Sequence, residues 1–279
     1  MNIQIVIPAH NEEAYIERTL KSLLNQTFLP SKIVVVNDHS TDRTFEILTK
    51  LQAENSLIQV MNHVSEGQHQ PGSKVVKAFY HGLQSIDAEV DIICKFDADL
   101  IFPGNYLERL VSIFENDPKC GMAGGYCTIQ DQDNWIVENL TGKDHIRGAL
   151  KAYRKLCFDT IGGLKQSMGW DTLDELLARY HGWSVITVPN LHVKHLKPTG
   201  ATYTKAARFK QGEAFKKMRY GFWLSALASA KLAFRKKSLS YLMDCMKGYF
   251  KCKDPYLVTE TEGRFIRSYR WKNIRKKLS

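Results

Sequence analysis

The chain has 279 residues, 44% of them hydrophobic and 11% aromatic, which suits one large or two small packed domains and excludes a disordered or low-complexity chain. Its net charge of +10 is unevenly placed: residues 203–279 hold 20 Lys/Arg against 5 Asp/Glu, whereas residues 1–202 hold 19 against 24. The six cysteines show no CxxC pairing, which speaks against a zinc site or a disulfide framework, and the first residues lack a secretory-signal pattern, so a cytosolic protein is expected and the Asn139-Leu140-Thr141 sequon is read as a chance match.

Ile3–Ile7 has the composition of a buried strand, and Asn11-Glu12-Glu13 opens an amphipathic helix through about Leu24. Ile33–Val36 is a continuous β-branched run of the kind buried on both faces of a parallel sheet. Asp42-Arg43-Thr44 begins a second helix, and Ile58–Val60 is a third strand. Beyond a Gly/Gln/Pro loop at 66–73, a helix carries Val75–Leu83, and Asp91–Phe96 is the fourth strand. Repeated βα units of this length predict a doubly wound, mostly parallel α/β sheet with right-handed crossovers. After residue 120 a strand is expected at 126–129, helices at about 145–157 and 171–182, and a strand at 184–188. Beyond Pro198-Thr199-Gly200 the sequence is mostly basic helix. The expected division is a catalytic body at 1–202, with a nucleotide half (1–118) and an acceptor half (119–202), followed by a helical extension at 203–279.

Ligands of a parallel sheet sit beyond the carboxyl ends of its strands. Asp38 follows the strand at 33–36, and Asp97 and Asp99 follow the one at 91–96. Residues two apart in extended chain project to one side, so both carboxylates of Asp97-Ala98-Asp99 can face one ligand. A divalent cation such as Mg2+ or Mn2+ is commonly held by one or two carboxylates plus substrate phosphates.

Taken together, Ile5–Glu12 (Ile-Val-Ile-Pro-Ala-His-Asn-Glu), Val35–Asp42 (Val-Val-Asn-Asp-His-Ser-Thr-Asp) and Phe96–Asp99 resemble the family 2 glycosyltransferases of the GT-A fold, in order and spacing over about residues 1–200. The resemblance implies a nucleoside diphosphate sugar donor and a Mn2+ or Mg2+ cofactor. It implies that Pro8, Asn11 and Asp38 line the nucleotide pocket beside Glu12, Asp97 and Ala98, that Asp99 ligates the metal, and that Asp97 supports the ribose or a metal-bound water, the two together holding the metal. Asp38 has a second reading as an Asx turn capping the following helix. Gly72-Ser73-Lys74 is similar to the family's Gly-Lys segment, which makes Lys74 a nucleotide contact or, equally, a solvated lysine.

The resemblance places a base, usually a Glu-Asp pair, at the start of a late helix. This chain departs from it: counting back from Leu176 and Arg179, the pair falls on Thr172 and Leu173, and neither can take a proton. Asp171, at the expected N-cap, is the first choice of base and Asp174 the second; both also suit a helix N-terminus. Trp170 is a candidate to stack on a sugar or to pack in the core. His195, in a segment resembling the family's late histidine and basic residue, is a candidate third metal ligand. The acceptor is expected to be a glycan or glycolipid. Basic helices carrying Trp and Phe suit an anionic membrane surface, so 203–279 is expected to attach the protein peripherally to the inner leaflet, with a plain helical cap as the other reading. No nucleic-acid motif is present. Two other activities stand beside transfer: a nucleotide-sugar-binding protein that has lost its base, and a sugar-nucleotide pyrophosphorylase. The pyrophosphorylase would need a Gly-rich basic loop where Pro8–Glu12 stands.

Overall fold

A computed structural model describes residues 1–64, 73–138, 142, 144–197 and 205–276. Residues 66–72 of the expected loop, the sequon at 139–141 and Pro198–Gly200 lie outside the described residues. Strands β1 (Ile3–Ala9), β2 (Lys32–Asp38), β3 (Ile58–His63) and β4 (Ile92–Phe96) are parallel and lie in the order β3-β2-β1-β4. Their β-branched runs are buried on both faces because α1 (Ile16–Leu24), α2 (Thr44–Glu54) and α3 (Ser73–Leu83) cover the sheet. The register pairs Ala9 with Asn37 and Val6 with Lys95, so Pro8, Asp38 and Asp97 emerge along one edge.

The sheet continues as β4-β8-β6-β9-β5, formed by β5 (Leu100–Ile101), β6 (Cys120–Asp131), β8 (Leu150–Arg154) and β9 (Ser184–His195), with β7 (Asn134–Val137) hairpinned onto β6. Here the pairing is mixed. Strand β8 runs antiparallel to β4 and β6, whereas β9 runs parallel to β6. Helices α4 (Tyr106–Asn116), α5 (Lys155–Thr160) and α6 (Trp170–Tyr180) complete this half.

Two expectations are corrected. The helix expected at 145–157 is strand β8 followed by the short α5, because Leu150–Tyr153 is buried between β4 and β6 and so shows neither period on its surface. The lysine inside that run, Lys151, is fully enclosed and ion-paired. The first helix begins at Ile16 rather than Asn11, since residues 11–15 form a turn closed by Tyr15 N–H on Glu12 O at 2.9 Å.

The basic extension folds into α7 (Lys205–Lys217), α8 (Gly221–Arg235), α9 (Leu239–Lys251) and α10 (Glu260–Lys276). Phe215, Met218, Leu224, Val258 and Ile266 join the core of the body, and the Phe265 ring meets Tyr180 of α6 at 5.5 Å. Among the described residues no helix is long and apolar enough to cross a membrane. Helices α7 and α9 cross at backbone contact: a Cβ at Gly212 would lie 1.7 Å from the Cys245 carbonyl oxygen, and one at Gly248 would lie 2.0 Å from that of Phe209. Alanine is a better helix former than glycine by about 1 kcal/mol, but a clash with backbone cannot be relieved by a rotamer change. Gly248→Ala is therefore expected to lower stability by about 1–3 kcal/mol in urea denaturation, the range for overpacking. An unchanged or raised midpoint would show that the helices separate freely.

Candidate active site

The loops after β1 and β2 are laced together by their own polar side chains. Asn11 sits at φ 54°, a left-handed conformation that asparagine tolerates. Its amide donates to Ser40 Oγ at 3.1 Å, and its Oδ1 accepts the Thr41 amide at 2.8 Å. The Glu12 amide donates to Thr44 Oγ1 at 2.7 Å. His10 Nδ1 lies 2.6 Å from the Asp38 carbonyl oxygen; a carbonyl only accepts, so that nitrogen carries the proton. Asp38 is buried at the end of β2. The Thr44 amide at the start of α2 donates to Asp42 Oδ1 at 3.0 Å. Lys74 is half-buried in the first turn of α3.

Beyond β4 the chain is pinned at each residue. The Asp97 amide donates to Ala149 O at 2.8 Å, and Asp97 Oδ1 forms an ion pair with the ammonium of Lys95. Lys95 is 2% exposed and also donates to Gly148 O at 3.0 Å, while Asp97 remains 36% exposed. Ala98 is buried, and its carbonyl accepts Thr19 Oγ1 at 2.7 Å. The Leu196 amide donates to Asp99 O at 2.9 Å, which brings His195 Nε2 to 3.4 Å from Asp99 Oδ2. His195 Nδ1 in turn lies 3.3 Å from Glu138 Oε2, and Glu138 pairs with Arg147. Cys127 completes a cluster with Glu138 and His195 whose ligand atoms lie within 4.8 Å of one another.

Two carboxylate oxygens in this region, Asp99 Oδ1 and Glu12 Oε2, are buried without a hydrogen-bond partner. The other Glu12 oxygen meets Lys197 Nζ at 3.1 Å. Burial raises the Glu12 pKa, Lys197 opposes that shift, and the charges on Asp99 and Asp97 add to it. Negative charge is thus in excess at the edge of the sheet. An unpartnered buried carboxylate oxygen costs about 1–3 kcal/mol or more, and carboxylates with one imidazole suit Mn2+ better than Mg2+. The residues present fit such an ion, with Asp99 and His195 as the pair one cation can take together.

At the start of α6, Gly169 at φ 73° turns the chain into the helix and serves as its N-cap, so Asp171 lies in the first turn and not at the cap. Its carboxylate meets His145 Nε2 at 3.5 Å and accepts the Gly148 amide. Asp171 is 31% exposed, enough for a hydroxyl to reach it. Burial opposes its ionisation, yet the hydrogen bond and charge of His145, with Lys151 and the Gly148 amide, hold the carboxyl below the usual carboxylate range. Burial likewise opposes the charge on His145, and Asp171 and Glu175 overcome it, pushing the imidazole up to about 9.

Asp174, the second candidate base, is 1% exposed and clamped by Lys151 Nζ at 2.7 Å and Tyr153 Oη at 2.6 Å. Burial raises its pKa against the pull of Lys151. Both its oxygens are occupied inside the core, which makes it a strut between α6 and β8 rather than a proton acceptor. Trp170 is 6% exposed, with the Lys95 and Lys151 ammonium groups 5.4 and 5.9 Å from its ring. It packs under the site and has no face to offer a sugar. Sequence reasoning missed Lys95, His145, Lys151, Tyr153 and Glu138. The lysines had a signal, a charge inside an otherwise apolar run, whereas His145 and Glu138 had none beyond their residue type.

The sequence profile of the family described as Glycosyl transferase family 2 matches residues 4–165, and the chain belongs to that family. An uncharacterized glycosyltransferase of Nostoc sp. is 28% identical over 169 residues, 59% of this chain and 50% of that protein. The probable glycosyltransferase YdaM of Bacillus subtilis is 30% identical over 125 residues, 44% of this chain and 29% of its own length. The chain thus spans half or less of the length of these relatives. Among solved structures, the mannosyltransferase PcManGT from Pyrobaculum calidifontis, in complex with GDP-Man and Mn2+, is similar with a TM-score of 0.62 at 16% identity, covering 91% of this chain and 88% of that one. TarS 1–349 of S. aureus in complex with UDP-GlcNAc gives 0.59 at 17% identity, over 90% and 73%. At these identities the likeness establishes the fold, the GT-A arrangement expected from the sequence.

The raised pKa of His145 fixes the sign of a pH effect. A histidine whose folded pKa lies above its unfolded value of about 6.5 contributes stability that is complete below that value and is lost as pH rises through about 9. The stability gap between wild type and His145→Gln is expected to be widest near pH 6 and to narrow between about 6.5 and 9. A gap that stays constant over that range in urea denaturation would contradict the ion-paired imidazolium.

Proposed function

We propose that the chain transfers a single sugar from a nucleoside diphosphate sugar to a hydroxyl of a glycan or lipid-linked acceptor, with inversion and with a divalent cation at Asp99. The observation that carries this reading is the placement of Asp171. Its ionised, partly exposed carboxylate hangs from the Gly148 amide, one residue before the Ala149 carbonyl that holds Asp97. Donor-side and acceptor-side carboxylates are thus fixed to one short segment of backbone.

In this reading Asp38 contacts the base or ribose of the donor, Pro8 and Asn11 shape its pocket, and Lys74 reaches it from α3. Asp97, steadied by Lys95, supports the ribose. Asp99 and His195 would hold the cation, with Glu12 beside them. The cation, when bound, offsets the charge that builds on the departing diphosphate. Lys197 adds a second positive charge next to Glu12. Asp171 accepts the proton of the acceptor hydroxyl as its oxygen attacks the anomeric carbon from the face opposite the diphosphate. His145 keeps that carboxylate ionised and aimed. Residues 203–279 hold the enzyme on an anionic membrane face, where a lipid-linked acceptor is within reach.

One observation favours a second reading, a binding protein that has lost catalysis: Thr172 and Leu173 stand where the family's Glu-Asp pair falls, and Leu173 is fully buried. Asp171→Asn separates the two. Measured by release of nucleoside diphosphate and product formation with Mn2+, transfer is expected to fall by about 100-fold or more, the usual worth of a positioned base, while donor affinity changes little. Wild-type turnover in the variant would remove Asp171 as the base. Donor binding by the wild type with no transfer across a broad acceptor panel would favour the second reading.

A further inference from the structure

Helices α8 and α9 of the extension form a hairpin whose inner side closes on Ala233, Tyr241 and Cys245. Its outer side is unusual. On α8, Trp223, Leu227 and Phe234 fall at spacing i, i+4, i+11, and on α9 Leu239, Met243 and Phe250 repeat the same spacing. That spacing aligns each set along one side of its helix. All six are exposed, with Trp223 at 75% and Phe234 at 86%. The Phe222 ring lies 6.0 Å from that of Phe250, so the start of α8 meets the end of α9 and the two stripes run alongside each other. Isolated exposed apolar residues need no explanation, but six large apolar side chains aligned on two neighbouring helices do, and at i+8 each set carries a lysine, Lys231 and Lys247, along the same side.

The charge around the patch identifies what it faces. Residues 221–253 contain seven basic residues, Lys231, Arg235, Lys236, Lys237, Lys247, Lys251 and Lys253, and one acidic residue, Asp244. Asp244 is turned inward, 3.5 Å from Arg208. A second copy of the chain seated on this face would bring two hairpins of like charge together, since the one acid of each is engaged by its own Arg208. An anionic bilayer offers the complement: phosphate headgroups for the lysines and the acyl boundary for Trp, Phe, Leu and Met. The basic residues draw the face to such a surface, and the apolar side chains supply burial that headgroups alone do not.

We propose that the outer face of the α8–α9 hairpin is the membrane-docking surface, lying flat on anionic lipid with Trp223, Leu227, Phe234, Leu239, Met243 and Phe250 inserted at the acyl boundary. This deepens, and rests on, the reading that residues 203–279 hold the enzyme to a membrane. It specifies one face, and it adds insertion to charge attraction.

The test is sedimentation of the full chain with vesicles of phosphatidylcholine alone or mixed with phosphatidylglycerol, for the wild type and Trp223→Ala/Phe234→Ala. Both side chains are mostly in solvent, so the variant should keep the wild-type melting temperature and donor binding. The expected result is binding to the mixed vesicles only, weakened by salt, and weaker by about tenfold or more in the double variant. Equal binding by wild type and variant would overturn the assignment of this face while leaving membrane attachment standing. Binding to neither vesicle would overturn both readings. A salt-stable dimer that the double variant dissociates, without vesicle binding, would assign the face to a second copy instead.

Discussion

The carboxylates at the carboxyl edge of the sheet do not balance the cations around them, and much of the site is arranged about that imbalance. Asp97 takes up the buried Lys95, Glu12 spends one oxygen on Lys197, and Asp99 shares His195 with Glu138 and its partner Arg147. After these pairings, one oxygen of Asp99 and one of Glu12 remain buried and unpartnered. Such groups persist only where the surrounding packing holds them or a ligand completes them. Strand pairing does the holding here, because β4 and β9 fix Asp97 and His195 through backbone bonds independent of the charge.

A single stretch, Gly148–Leu150, then joins the two halves. Leu150 enters β8 opposite Phe96, Ala149 holds the Asp97 amide, and Gly148 offers its carbonyl to Lys95 and its amide to Asp171. Space explains why this residue is glycine: a Cβ there would lie 2.8 Å from the Trp170 ring and 3.1 Å from Asp171 Cβ. Below it the buried set of Lys151, Asp174, Glu175 and Tyr153 anchors α6 to β8. The acidic residues of α6 therefore divide by depth. Asp174 and Glu175 stabilise the helix position, and Asp171 keeps part of its carboxylate in solvent.

How far the sequence carried depended on what each signal measures. The four parallel strands were legible because burial on both faces requires continuous apolar runs, and Asp38, Asp97 and Asp99 followed from where such strands end. Strand β8 was not legible, since Lys151 interrupts its apolar run and Arg147 and Tyr153 give the segment a helical look. Asp171 and Asp174 differ by one turn and share a residue type, so only the fold could separate the enclosed one from the accessible one. Trp170 carried two readings for the same reason, and burial decided between them. In the extension the Trp and Phe residues among lysines were visible, but not the apolar sets they form along α8 and α9. Their common outward face required the hairpin.

In the proposed function the unpartnered carboxylate oxygen of Asp99 is a ligand position for a divalent cation, completed by the diphosphate of the donor. Titration of Mn2+ followed by electron paramagnetic resonance, with and without a nucleoside diphosphate, measures this directly for the wild type and Asp99→Asn. One tightly held Mn2+ is expected in the wild type when the nucleotide is present, and affinity weaker by about tenfold or more in the variant at unchanged thermal stability. Equal Mn2+ binding by the two proteins would contradict it.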